Sequence, residues 1–172
     1  TMMVVSIDPN THTASMLGIP RDLWVPIPLP NNGVLHDRIN TANVYGVLRN
    51  LPGGGPQLAK DTVSYNLGVK IHYFVMLDFQ GFRNIIDTLG GIDVRVDKAV
   101  IDYEYPTDDY GYMTVNIPAG DQHLDGEHAL QYARSRHADS HFGRMKRQQQ
   151  VILSAREKAL RLDMLPKLPS LR

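Results

Sequence analysis

Residues 80–96 read QGFRNIIDTLGGIDVRV. Phe82, Ile85, Ile86 and Leu89 recur at helical spacing, Gly90-Gly91 supplies a stop, and Ile92, Val94 and Val96 alternate with polar residues as a strand does. A helix that a glycine turn hands directly to a strand belongs to a chain mixing the two. The rest of the sequence repeats that theme. Met2–Ile7 and Thr13–Leu17 read as strands around a Pro9-Asn10 turn. Asn40–Arg49 reads as a short helix, and Pro56 opens another after the flexible Gly53-Gly54-Gly55 loop. His72–Phe79, rich in aromatic and β-branched residues, reads as a strand, as does Met113–Ile117. Tyr103–Tyr112 reads as a polar, aromatic loop, and Asp125–Tyr132 and Gly143–Leu162 as helices. This pattern predicts an α/β domain over residues 1–164, followed by a proline-broken tail at 165–172.

The 172 residues suffice for one domain that buries about 68–70% of the surface its unfolded chain exposes. Lys+Arg (18) balance Asp+Glu (18), which disfavours a whole-domain polyanion binder. The absence of cysteine excludes disulfides, thiolate metal sites and thiol nucleophiles. No apolar run is long enough to cross a bilayer. The first residues lack the basic start of a signal peptide and read as a strand entered inside a domain.

The neutral average hides a segregation of charge. Residues 99–133 contain no Lys or Arg but include Asp102, Glu104, Asp108, Asp109, Asp121, Asp125 and Glu127. Arg134, Arg136, Arg144, Lys146 and Arg147 follow directly. Arg134 and Arg136 face the same way only if the helix has ended there. Arg144 and Gln148 are one turn apart on the next helix, in register with Arg147 and Val151. Two extended arginines, a loop, and an arginine with a glutamine at a helix start can form a cationic cradle, and guanidinium forks suit phosphate. The plainer reading is a surface helix paired with the acidic block. Pro20-Arg21-Asp22, just past a predicted strand, offers a further phosphate ligand in Arg21 and an orienting or proton-accepting carboxylate in Asp22. Gly53–Gly55 lacks the Lys-Ser/Thr of a P-loop, no HExxH occurs among seven histidines, and no G-x-S-x-G occurs.

The string from Gly120 to Gln150, together with Ile19-Pro20-Arg21-Asp22, Arg38-Ile39-Asn40-Thr41-Ala42 and Ile86-Asp87-Thr88-Leu89-Gly90-Gly91-Ile92-Asp93-Val94, resembles the LytR-CpsA-Psr family. The motifs run in order from Met2 to about Ala159. The resemblance implies a central mixed β-sheet flanked by helices, with an apolar channel for lipid. It implies a membrane-anchored phosphotransferase on the extracytoplasmic face of bacteria. Such a protein moves a glycopolymer, such as teichoic acid or capsule, from a polyprenyl-pyrophosphate carrier to a hydroxyl of peptidoglycan, with magnesium assisting. By position, Arg21, Arg134, Arg136, Arg144 and Gln148 would hold the pyrophosphate. Arg21, Asp22, Arg134 and Arg136 would carry catalysis, and Asn40, Asp139, His141 and Arg147 would support them. Phe74, Val75, Phe82 and Ile85 are the kind of residue that lines a lipid cleft.

Two departures stand out. The family usually has an aspartate where this chain has His141, while Asp139 keeps the other acidic position. The family's acidic N-terminal motifs, expected to hold magnesium, would lie before Thr1, so no metal ligand is assigned here. These departures keep open a second reading, a non-catalytic binder of lipid-linked glycan or wall polymer. A nucleic-acid partner is disfavoured by the neutral charge and by the lack of stacking aromatics near Arg134–Arg147.

Overall fold

In the computed structural model, the helix read at residues 80–89 spans Phe79–Thr88. Asp78 caps it by accepting the Gly81 N–H at 2.7 Å. Gly90 and Gly91 end it with positive φ angles of 72° and 82°, and the Gly91 N–H bonds back to Ile86 O. The strand Ile92–Val96 follows with alternate residues buried. The structure describes residues 2–8, 10–11, 13–107, 109–136 and 141–161, without the side chain of His141. Asp139 and the 165–172 tail lie outside the described residues.

The chain divides into two compact units, Thr1–Met76 and Leu77–Arg172, each with its own core. The first unit begins with the antiparallel hairpin β1 (Met2–Asp8) and β2 (Thr13–Ile19). A second antiparallel pair follows, β3 (Trp24–Pro28) with β4 (Val34–Arg38). Helices α1 (Thr41–Leu48) and α2 (Gly54–Leu67) complete the unit. Ile27, Ile39, Ala42, Leu58 and Val63 form its core. The three glycines are therefore not a free loop, because Gly54 and Gly55 already belong to α2. The reason is contact: a Cβ on Gly46 of α1 would lie 2.6 Å from the Gly55 Cα, so the two helices cross backbone to backbone.

The second unit runs α3 (Phe79–Thr88), β5 (Ile92–Val96), β6 (Val100–Pro106), β7 (Tyr112–Ile117), β8 (Gly120–Leu124), α4 (Gly126–Arg134) and α5 (His141–Arg161). β5 pairs with β8 and β6 with β7, both antiparallel. Its core gathers Ile86, Ile92, Val94, Val96, Tyr105, Val115, Tyr132 and Val151. Each such fully buried aliphatic side chain stabilises the unit by about 1.5–3 kcal/mol. The α/β class stands. Among the described residues, the strands pair as four two-stranded antiparallel sheets.

Strands β3, β4 and β8 were not read from the sequence, and two further stretches take another form than the one expected. His72–Phe79 forms no strand, since no described strand supplies the hydrogen bonds that define one. The polar loop read at Tyr103–Tyr112 is largely strand: β6 reaches Pro106 and β7 begins at Tyr112. The alternation there is obscured by a bulge between Asp102 and Tyr105, where two residues face one on β7.

Candidate phosphate-binding site

In the first unit the turn after β2 carries Arg21 and Asp22. The Leu23 N–H closes it on Pro20 O, and the Asn40 N–H donates to Arg21 O, which ties the turn to the start of α1. Arg21 Nε lies 3.3 Å from Asp22 Oδ2, and Arg38 Nη1 lies 3.8 Å from Asp22 Oδ1. Asp22 thus orients Arg21 as expected, and it also approaches Arg38, whose part the sequence reading did not single out. All three side chains are about half exposed, so these pairs contribute little stability and remain accessible to an anion. Asn40 is the N-terminal flanking residue of α1 but makes no side-chain capping bond. A separate groove of about 790 Å³ lies along α2, lined by residues including Lys60, Asp61, Ser64, Lys70 and Tyr73. None of the predicted phosphate ligands borders it.

The second unit holds the other arginines. Arg134 is the last residue of α4, and Ser135 leaves helical geometry at φ −51°, ψ 133°. The helix therefore runs through Arg134, past the Tyr132 end read from the sequence, and the chain leaves helical geometry only at Ser135, so the two arginines are not both extended as expected. The Arg134 guanidinium carbon sits 4.1 Å from the centre of the Phe79 ring and 5.3 Å from that of Tyr105. Its Nη1 is 3.5 Å from the Tyr105 hydroxyl. Burial pushes that hydroxyl's pKa up, an effect Arg134 partly offsets, so the phenol stays neutral beside the cation.

The segment after α4 is secured mainly through its backbone. Asp102 Oδ2 accepts the Arg136 N–H at 2.9 Å. Arg147, 4% exposed, donates from Nε to Tyr132 O at 2.8 Å and from Nη2 to Ser135 O at 2.6 Å. Gln148 Nε2 donates to Ala133 O at 3.0 Å. These donors satisfy carbonyls that the end of a helix leaves without partners. Arg147 is thus a buried support of the backbone at this helix end. Gln148, expected to face pyrophosphate, spends an amide donor on the backbone beside it. Arg144 lies half-buried in the first turn of α5. Arg136 presents an exposed side chain. Phe82 packs on the core, and Ile85, Phe74 and Val75 are exposed. Asp102, Phe79 and Tyr105 are the site residues the sequence did not flag.

Over residues 1–172 the chain matches the LytR_cpsA_psr family. It belongs to that family. The chain is 37% identical over 161 residues to the polyisoprenyl-teichoic acid–peptidoglycan teichoic acid transferase TagU of Oceanobacillus iheyensis, covering 92% of this chain and 45% of that protein. The Bacillus subtilis TagU is 34% identical over 154 residues, covering 88% of this chain and 44% of its own length. Among solved structures, Bacillus subtilis TagV superposes with a TM-score of 0.69 at 34% identity, covering 91% of this chain and 55% of its own. TagT with bound octaprenyl pyrophosphate lipid gives 0.67 at 29%, covering 92% and 58%. The chain thus spans about half the length of the relatives it matches.

Proposed function

We propose that this domain holds the diphosphate of a polyprenyl-pyrophosphate-linked glycan and transfers the phosphoryl-glycan to a hydroxyl of peptidoglycan. The setting would be the extracytoplasmic face of a bacterial membrane. The observation that carries the reading is the Arg134-Ser135-Arg136 segment, whose backbone is pinned by buried side chains while Arg136 stays exposed. The names of the relatives support the same reaction.

In this reaction the acceptor oxygen attacks the phosphorus bearing the glycan. The bond from that phosphorus to the bridging oxygen breaks, and polyprenyl phosphate leaves with the electron pair. Negative charge grows on the phosphoryl oxygens and on the leaving phosphate. Arg134, Arg136 and Arg144 act by neutralising that charge, which is most of what phosphoryl transfer asks of a protein. The attacking hydroxyl gives up its proton as the new bond forms. An apolar channel beside the arginines would take the prenyl chain. Magnesium, when bound, would add charge neutralisation at the same oxygens. Among the described residues no three His, Asp or Glu side chains are gathered to hold a cation.

The test is release of polyprenyl phosphate from a lipid-linked substrate. Arg136→Ala should slow it by about 10²–10³, in line with the loss of one charge-stabilising donor. Unchanged release would reject the assignment. Binding of the lipid with no release by the native protein would mark a non-catalytic binder instead.

A further inference from the structure

The β6–β7 hairpin turns one face to the core of its unit and the other to solvent. Val100, Asp102 and Tyr105 of β6, with Val115 and Ile117 of β7, are buried. The bulge between Asp102 and Tyr105 lets the strand keep inward residues on both sides of it. The outward row is left to Ile101 and Tyr103 on β6 and to Tyr112, Thr114 and Asn116 on β7, all exposed. Tyr103 is 72% exposed, Tyr112 is 73% exposed, and Tyr110, at the tip, is 98% exposed. Tyr110 also holds φ at 64°, a left-handed conformation that is strained for a bulky residue. The Thr107 N–H donates to Gly111 O at 3.0 Å and closes the tip. Among the described residues no hydrogen bond or ring contact engages any of the three phenols. Three uncovered rings on one hairpin exceed the single scattered apolar residues that a surface normally shows.

Charge narrows the partner. The hairpin exposes Glu104 and Asp109, and residues 99–133 contain no Lys or Arg. Such a face repels a phosphate-rich polymer and an anionic membrane. It suits an uncharged chain of N-acetylated sugars. A pyranose ring offers an apolar C–H face that stacks on an aromatic ring, and its hydroxyl and amide N–H groups donate to carboxylate, amide and phenol oxygens. The same strand reaches the cradle, because the inward Tyr105 places its hydroxyl 3.5 Å from Arg134 Nη1.

We propose that the outer face of the β6–β7 hairpin docks the glycan strand of the peptidoglycan acceptor, with Tyr103, Tyr110 and Tyr112 as its stacking platforms. The proposal rests on the transferase reading given above and names the surface that receives the acceptor.

The experiment measures co-sedimentation of the intact protein with purified peptidoglycan stripped of teichoic acid. The native protein should bind. The double variant Y103A/Y112A should bind about tenfold or more weakly, the loss of two aromatic platforms. The double variant Y103F/Y112F keeps both rings and should bind close to native. Both side chains are exposed, so the urea midpoint should stay native in each variant. Failure of the native protein to sediment overturns the proposal, as does native binding by Y103A/Y112A or equal loss in the Phe variant. Binding to phosphatidylcholine vesicles, or self-association, that Y103A/Y112A abolishes would name a lipid surface or a second copy as the occupant and overturn it too. A measurement on the native protein needs no variant to fold: N-acetylchitohexaose should shift the ring resonances of Tyr103, Tyr110 and Tyr112. Shifts confined to other residues overturn the docking surface. Native farnesyl pyrophosphate affinity in R136A would instead overturn the cradle reading, and it would leave the peptidoglycan result standing.

Discussion

The Arg134 guanidinium is stacked 4.1 Å from the Phe79 ring, at the start of α3, while Arg134 itself closes α4. Two elements far apart in sequence thus set the orientation of one cation. An aromatic face fixes the plane of a guanidinium and leaves its N–H edge directed outward, towards an anion. Replacing Phe79 by Leu keeps apolar bulk and removes the ring. The variant should fold with native stability and lose about 0.5–2 kcal/mol of diphosphate affinity, measured by titration with farnesyl pyrophosphate. Native affinity would show that the stacking has no part in binding.

Arg147 ties α5 to the end of α4 through Tyr132 O and Ser135 O. In Arg147→Met the bulk remains, but those buried carbonyls lose their donor. The variant should be less stable by about 2–5 kcal/mol, read as a lowered urea midpoint. Arg147→Lys, with one ammonium to offer, should fall between the two. An unchanged midpoint in R147M would show that the carbonyls find other partners.

Asp125 caps α4 by accepting the His128 N–H at 2.8 Å. That bond, more than the His128 ring, holds its pKa below the usual carboxylate value against a smaller opposing effect of burial. A depressed folded pKa means the contribution is complete above the unfolded value of about 3.9 and fades as pH falls through the folded one. At pH 7, Asp125→Ala should cost about 1 kcal/mol. The gap from the native protein should narrow below about pH 4. A pH series of urea melts checks this, and a gap that stays constant from pH 7 to pH 2 contradicts it.

Gly126 sits where α4 meets α3, and its N–H donates to Asp87 at 2.7 Å. A Cβ there would lie 2.5 Å from the carbonyl oxygen of Arg83 and 2.8 Å from its Cα. Both are backbone atoms and cannot swing aside. Gly126→Ala should therefore destabilise by about 1–3 kcal/mol despite the better helix propensity of alanine, read as a lowered Tm. A Tm equal to or above the native value would show that the helices part without cost.

Helix α3, its Gly90-Gly91 stop and β5 were legible because their signals are local: a 3.6-residue period, a left-handed turn and a two-residue alternation within seventeen consecutive residues. The starts of α4 and α5 were legible for the same reason, but α4 runs past the Tyr132 end read from the sequence and takes in Arg134, so only Arg136 lies beyond it. His72–Phe79 misled because its composition suits a strand, yet a strand exists only where another chain segment offers hydrogen bonds. β6 was missed because a bulge breaks its alternation and because its acidic residues imitate a loop.

The amino-acid order alone determined the family, the mixture of helices and strands, and which arginines are candidates for a diphosphate. Those are properties of residue type and short spacing. Only the tertiary structure decided that Asp102 reaches the Arg136 backbone across 34 positions, that Phe79 and Tyr105 flank Arg134, and that Arg147 is buried as a support while Arg136 is exposed. Adjacent positions such as Arg147 and Lys146 carry the same charge. What separates the buried from the exposed one is the set of carbonyls brought against one helix face by packing.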